Sequence, residues 1–440
     1  MKKQQQMKEF RISEETAKKT MRTQTVSLIP LTIIAFAGYI GIRMGIKNSV
    51  KSLMKNIHRL TEKRIEWHTP SGKIIKNDYF VKRYYSYLIL LFLLPLFVLY
   101  GCAQKPEMVL NPYENVNWDN AGRHKANFHT HTTQSDGLYP PHEVVDRYNE
   151  MGYSILAITD HDLVTYPWSA FADMRDGYEN RDPLSSGMLS VVGNELSRHH
   201  HTLSLFSDFK ARERDLDMVL TNMAAYSDDA IAVIAHPAMH WPRQFDTSVL
   251  TDSVIRYYMN YYSRHNNLIA MEVHNGTRPL SEYTLDRELW DELLSISMPD
   301  RPIWGFATDD MHSSIHYGRD WVVIPLEILT VDAVRQALID GAFYFSSIRV
   351  YGGNEPDVSQ TPVINAINHN SRSGEIMIQA SINGLPMDEQ AYSWISGGEV
   401  VFTGSTINYR SLEGLGNYIR AEITGNGGIT YTNPFGFNNP

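Results

Sequence analysis

Short apolar runs recur through the middle of this 440-residue chain, and most of them end on a residue that can ionise or bind a cation. They are "KANFHTH", "SILAITD", "LSVVGNEL", "TLSLF", "IAVIAHP", "LIAMEVH", "IWGFATD" and "WVVIPLE". Between several of them lie stretches with helical periodicity: "PHEVVDRYNEMG", "RDLDMVLTNMAAYS", "DSVIRYYMNYYSRH" and "LDRELWDELLSI". Repeated strand-then-helix units predict an α/β fold on a parallel sheet, closed or open, because a crossover helix returns the chain to begin a parallel neighbour. In a closed barrel the reactive groups gather at the C-terminal strand ends. His129, Asp160, Glu195, His236, His274 and Asp310 occupy such positions.

The stretch "NFHTHTTQSDG" sharpens the expectation. Residues two apart on a strand point to one face, so His129 and His131 aim two imidazoles at one point, as a divalent cation requires. "ATDDMH" repeats the device with Asp310 and His312. His161, Glu195, His201 and His236 each follow an apolar run. One His-x-His pair is ordinarily a solvated or hydrogen-bonded pair of histidines. Six placements at strand ends need another explanation.

The segment "NFHTHTTQSDGLYPPHEVVDRYNEMGYSILAITDHD" closely resembles the opening of the polymerase and histidinol phosphatase (PHP) family. "GNELS…HTLSLF", "IAHP" and "TDDMH" follow in the order of that family's later motifs. The resemblance covers roughly residues 121–350, and the ending "YIRAEITGNGGITYTNPF" is similar to the small β domain of secreted members. It implies an α/β fold: a distorted (β/α)7-type barrel followed by a small C-terminal antiparallel β-sandwich. It also implies two or three divalent metal ions at the barrel mouth. By motif position, His129, His131, Glu195 and Asp310 hold the first, and Glu195 bridges to a second completed by His201 and His236. Asp136, His161 and His312 hold the third, with Ser135 and Gly137 shaping the turn that returns Asp136. Among His199, His200 and His201, the last is chosen because it directly precedes "TLSLF".

All these donors are nitrogen or oxygen, a set that suits Zn²⁺, Mn²⁺ or Fe²⁺ without ranking them. Close metals acidify a shared water, clamp a phosphoryl group and stabilise the leaving oxygen, so hydroxide rather than a side chain is the nucleophile. Glu195 and Asp310 are thereby the expected catalytic centre. Arg243, in "HPAMHWPRQFD", is expected to bind a substrate phosphate; the competing reading is a surface salt bridge. Asp160, Asp162 and Asp309 either orient ligand imidazoles or cap loops. His240, His274 and Arg319 are expected to make structural hydrogen bonds, with His274 and Glu272 on one face as a buried pair.

Charge is unevenly spread. Residues 1–83 carry 18 Lys/Arg against 6 Asp/Glu, and the remainder 22 against 43. A body that acidic disfavours a nucleic-acid partner, whose backbone proteins neutralise with Lys and Arg. Residues 1–80 are a basic region with one apolar segment, "VSLIPLTIIAFAGYIGI". It is read either as part of a membrane helix pair or as an over-extended gene start. Residues 81–102 form a basic, then apolar stretch ending Leu99-Tyr100-Gly101-Cys102, like a lipoprotein signal in which the chain's one cysteine is lipidated. An ordinary membrane helix is the alternative. Residues 103–120 are expected to be a tether, 121–350 the metal-dependent barrel, and 351–440 the β domain.

These readings predict an exported metal-dependent phosphoesterase of the cell envelope, anchored at Cys102 and acting on a phosphorylated small molecule or glycan. The same metals attacking a carboxylic ester or amide are the second expectation, and a non-catalytic surface binding protein the third.

Overall fold

A computed structural model describes residues 66–68, 74–76, 105–168, 187–241, 249–277, 280–348 and 357–438. The chain divides into two compact units, Met1–Ala103 and Gln104–Pro440. In the first, the described residues form a short antiparallel pair, β1 (Glu66–His68) and β2 (Ile74–Lys76). The apolar runs ahead of residue 103, and Cys102 itself, lie outside the described residues. Among the described residues no helix is long and apolar enough to cross a membrane.

The second unit begins with β3 (Glu107–Leu110), β4 (Gly122–Asn127), α1 (Pro141–Glu150), β5 (Ile155–Ala157), β6 (Leu189–Val191) and β7 (Gly193–Leu196). Then come β8 (Thr202–Leu205), α2 (Leu216–Tyr226), β9 (Ile231–Ile234), α3 (Asp252–Tyr262), β10 (Leu268–Asn275) and α4 (Leu280–Ser297). β11 (Trp304–Thr308), β12 (Asp320–Leu326), α5 (Val331–Asp340) and β13 (Tyr344–Ser347) follow. The remaining strands are β14 (Val363–Asn370), β15 (Glu375–Ile382), β16 (Leu385–Pro386), β17 (Tyr392–Ser396), β18 (Glu399–Thr403), β19 (Thr406–Asn408), β20 (Tyr418–Gly425), β21 (Gly428–Thr432) and β22 (Phe435–Asn438).

Local chemistry sets the helix starts. Asp215, Thr251 and Thr330 each turn a side-chain oxygen onto the backbone N–H three residues on, capping α2, α3 and α5. All three residues of β5, all four of β8 and of β9, and the whole of β10 and β11 are buried. That matches their continuous apolar runs, since strands covered on both faces have no polar side to show.

One correction concerns the sheet. It is not all parallel: β8 runs antiparallel to both β7 and β9, and β12 antiparallel to β4 and β13. The step from β7 to β8 is only a few residues, too short for the crossover that parallel strands need. Among the described residues, strands β4 to β12 lie in two hydrogen-bonded sheets. One sheet has the order β11-β10-β9-β8-β7, and a second contains β12-β4-β5-β6. Single parallel bridges link them, Thr130 to Met311 and His161 to Glu195. Both bridges fall at residues adjoining, or belonging to, the expected metal ligands.

The stretch expected to be a tether is folded from residue 105 on. β3 pairs with β22 at the far end of the chain. Tyr113 is buried; its hydroxyl donates to Phe343 O (2.9 Å) and accepts from Asn433 N (2.8 Å). Several of the C-terminal strands join the same sheet as strands before them. β21 pairs with β13, so β17, β18, β20 and β21 extend the sheet that holds β12 and β4. β14, β15, β16 and β19 make a separate antiparallel sheet. Ile364, Ile376 and Ile378 from it share a buried cluster with Trp394, Ile419 and Ala421 of the larger one.

A buried ion cluster fastens these strands to the helical layer. Arg420 in β20 is fully buried; its Nε and Nη2 reach Asp291 of α4 at 2.8 and 2.7 Å, and Nη1 reaches Glu422 at 2.7 Å. Breaking such a cluster leaves uncompensated charge in low dielectric. Arg420→Ala is expected to lower the free energy of unfolding by about 3–5 kcal/mol in urea denaturation. An unchanged midpoint would mean that the clamp contributes nothing.

Candidate metal centre

β4 delivers the first two imidazoles. Past its last residue the chain stays extended, His131 N donating to Met311 O at 2.9 Å, and both rings are fully buried. His129 Nδ1 lies 2.7 Å from Glu272 Oε1. That carboxylate fixes the ring and turns Nε2 inward, the arrangement found behind metal-bound histidines. Glu272 is itself held by Thr308 Oγ1, His236 N (2.9 Å) and Asn275 Nδ2 (2.8 Å).

Glu195, from β7, stands at the centre. His129 Nε2 and His131 Nε2 lie 3.1 Å apart, and each is 3.1–3.3 Å from both Glu195 Oε2 and Asp310 Oδ1. A tetrahedron with such edges has its centre about 2.0 Å from every corner, which is the length of a zinc–imidazole or zinc–carboxylate bond. Glu195 Oε2 is buried, with His161 Nδ1 2.9 Å away. An anionic oxygen buried that way is costly unless a cation sits among these lone pairs.

The other carboxylate oxygen serves a second cluster. Glu195 Oε1 is 2.8 Å from His201 Nδ1 and 3.3 Å from His236 Nε2. The three-histidine run resolves cleanly. His199 is exposed, and His200 is buried with Nε2 on Tyr258 Oη (2.7 Å) and Nδ1 on its neighbour's carbonyl, leaving His201 facing Glu195. In the third cluster, Asp136 lies 3.4 Å from His161 Nε2, 3.3 Å from His312 Nε2 and 3.5 Å from His131 Nδ1. Its turn closes with Gly137 N donating to Thr132 O, and a Cβ on Gly137 would come within 2.5 Å of His131 O, so only glycine fits. Burial is graded: the side chains of the first cluster are at most 3% exposed, whereas Asp136 is 53% exposed. The third cluster is therefore more open to solvent than the first.

All nine expected ligands thus converge. The tenth expected site residue, Arg243, lies outside the described residues. Asp160, Asp162 and Asp309 prove to be loop anchors. Asp160 takes Thr132 N and Ser135 Oγ at 2.7 Å each, Asp162 takes Ser197 N at 3.2 Å, and Asp309 takes the N–H groups of Gly318, Arg319 and Asp320. Through Ser135, which lies 3.4 Å from His131 Nδ1, Asp160 also steadies a ligand. Arg319 donates to Gly276 O (3.2 Å), a structural bond as expected. Glu272 and His274 are both buried, as expected. A register shift in β10 separates the two, sending Glu272 to His129 and packing the His274 ring 4.6 Å from that of Tyr431. Glu272 is therefore the residue sequence reasoning misjudged; its only signal was a carboxylate near the end of "LIAMEVH".

Two of the expected ligands sit on backbone that side chains rarely adopt: His236 at φ 26° and Asp310 at φ 47°. Such strain persists only where surrounding contacts enforce it. Thr277 Oγ1, 2.8 Å from Asp310 Oδ2, is one of those contacts.

Burial opposes charge on His129, His131, Glu195 and Asp310, and their mutual attraction outweighs it. The charge of His129 holds Glu195 and Asp310 well below the usual carboxylate range. Burial likewise disfavours the His131 cation, but contact with Asp310 and Glu195 raises it to about 9. Without a metal, the anions are thus matched by protons.

No protein-family profile and no curated protein matches the chain. Among solved structures it is similar to a two-domain protein containing a predicted PHP-like metal-dependent phosphoesterase from Bacteroides vulgatus. The two are 16% identical with a TM-score of 0.41, over 75% of this chain and 99% of that one. It is also similar to an amidohydrolase from Chromobacterium violaceum with bound sulfate and no metal, at 15% identity and TM-score 0.31, over 43% of this chain and 88% of that one. A candidate metal-dependent phosphoesterase from Bifidobacterium adolescentis matches at 15% and 0.30, over 49% of this chain and 96% of that one. At these scores each is a likeness only, and the chemistry of the site is read from its own side chains.

Metal ligands must be deprotonated, so cation and proton compete. With His131 titrating near 9 in the metal-free protein, Zn²⁺ binding at pH 7.5 is expected to release protons, and affinity to climb as pH rises toward 9. Calorimetry in buffers of different ionisation enthalpy measures this directly. Binding without proton release would place the metal elsewhere.

Proposed function

We propose that this protein is a metal-dependent hydrolase of the PHP type that cleaves phosphate mono- or diesters. The observation that carries the reading is Glu195, whose two oxygens face two different imidazole clusters at 2.8–3.3 Å. A carboxylate shared in that way is the bridge of a paired-cation site. Bound cations would supply a water acidified toward neutral pH and positive charge against the developing oxyanion.

The protein's own groups do the positioning. His129, steadied by Glu272, and Asp310, steadied by Thr277, keep the donor set rigid, so little reorganisation is needed when charge develops. The third cluster, beside the first and open to solvent, lies where a substrate arrives. Three clusters around one mouth suit the three peripheral oxygens of a phosphoryl group better than the single oxygen of a carbonyl. The single bridges between the two sheets at this mouth support reading them as a distorted barrel.

The reading extends beyond the site on sequence grounds. Cys102 as a lipid attachment point would hold the catalytic unit outside the cytoplasm at the cell envelope, where a phosphorylated small molecule or glycan is the substrate class. The excess of acidic residues after position 83 again argues against nucleic acid.

The test is a substrate panel on protein stripped with a chelator and reloaded with Zn²⁺, Mn²⁺ or Fe²⁺. Aryl phosphate turnover is expected to vanish on stripping and return on reloading. Glu195→Gln or Asp310→Asn should cost on the order of a thousandfold, equivalent to about 4 kcal/mol of lost transition-state stabilisation. Turnover of aryl carboxylic esters but not aryl phosphates would transfer the site to acyl chemistry. Phosphatase activity indifferent to either substitution would refute the assignment.

A further inference from the structure

Four residues after His236, a tenth donor faces the second cluster. His240 ends a short turn (Pro237–His240) that is pinned along its length. Ala238 N donates to Asp286 Oδ1 at 2.7 Å, Tyr258 Oη donates to Pro237 O at 2.9 Å, and Met239 N donates to His236 O at 3.1 Å. The His240 ring is thereby stacked on that of His201, 4.0 Å between centroids, and stands 5.0 Å from that of His236. Ring nitrogens of His201, His236 and His240 lie within 4.8 Å of one another.

The contrast with His200 is informative. Both nitrogens of His200 have partners, so that ring is a structural strut. His240 Nε2 is buried and, among the described residues, meets no hydrogen-bond partner. A structural histidine in this place would show a bond that holds it. This one shows a nitrogen beside two other imidazoles, with Glu195 Oε1 already in contact with both of them.

We propose that His240 is a fourth protein ligand of the second cluster, giving that site three imidazoles and one carboxylate oxygen. The inference rests on the reading that these clusters hold cations. Such a donor set prefers a borderline transition ion, Zn²⁺ or Fe²⁺, over Mg²⁺, Ca²⁺ or Mn²⁺, which favour oxygen and water. The first cluster, with two imidazoles and two carboxylates, is the more tolerant of Mn²⁺. The two positions therefore select different metals.

The experiment titrates the metal-free full-length protein with Zn²⁺ and with Co²⁺, alongside His240→Ala, His240→Gln and a control at the exposed His199→Ala. Losing even a group that merely orients a ligand costs about 10–100-fold in metal affinity. Both His240 variants are therefore expected to weaken one Zn²⁺ step at least that much, leave the other step unchanged, and lower the Co²⁺ visible absorption that marks four-coordinate sites. His199→Ala is expected to match the parent. If the parent binds two Zn²⁺ and the His240 variants bind both with equal affinity and the same Co²⁺ spectrum, the ligand assignment is wrong and the functional reading stands. If the parent binds no metal, the functional reading fails and takes this assignment with it.

Discussion

A fully buried carboxylate, Glu195, is the constraint around which the catalytic unit is arranged. Desolvation alone would neutralise it. It stays ionised because five imidazoles surround it, those of His129, His131, His161, His201 and His236, each within 3.3 Å. No single strand supplies that shell. It comes from residues after β4, after β5, before β8 and after β9, so the sheets must hold their register for the carboxylate to be tolerable. The fold and the site are in this sense one energetic problem.

The scaffold answers it with a hierarchy of contacts. Glu272, Thr277 and Ser135 touch ligands and fix their orientation. Asp160 and Asp309, one layer further out, gather backbone N–H groups and fold the loops that carry those ligands. Burial raises Asp309 to about 6, yet the N–H groups it collects favour its charged form. At the periphery, the Arg420–Asp291–Glu422 cluster ties the C-terminal strands to α4. Those strands continue the sheet through β13 and β21, so they brace the catalytic layer from behind rather than sit beside it.

Much of this was legible in the sequence. Strand positions were expected from the apolar runs, and the nine residues that converge were expected from motif order and from His, Asp or Glu at the ends of those runs. Other features left none. The antiparallel course of β8 depends on the length of a turn between two apolar runs that look alike in either direction. The register shift that parts Glu272 from His274 defeats simple alternation. Tyr113 looked like part of a polar tether because its partners, Phe343 and Asn433, lie more than two hundred residues away in the chain. His240 was read as structural because its nearness to His201 arises from a pinned turn rather than from strand periodicity.

The claim at the centre of this account is that Glu195 is shared between cations. The most direct measurement is an anomalous-scattering map from crystals of the protein loaded with Zn²⁺. The account predicts two peaks flanking Glu195, one bonded to Oε2 together with His129, His131 and Asp310, the other bonded to Oε1, each about 2 Å from its ligands. A well-ordered crystal with Zn²⁺ bound only elsewhere, and Glu195 touching none of it, would contradict it.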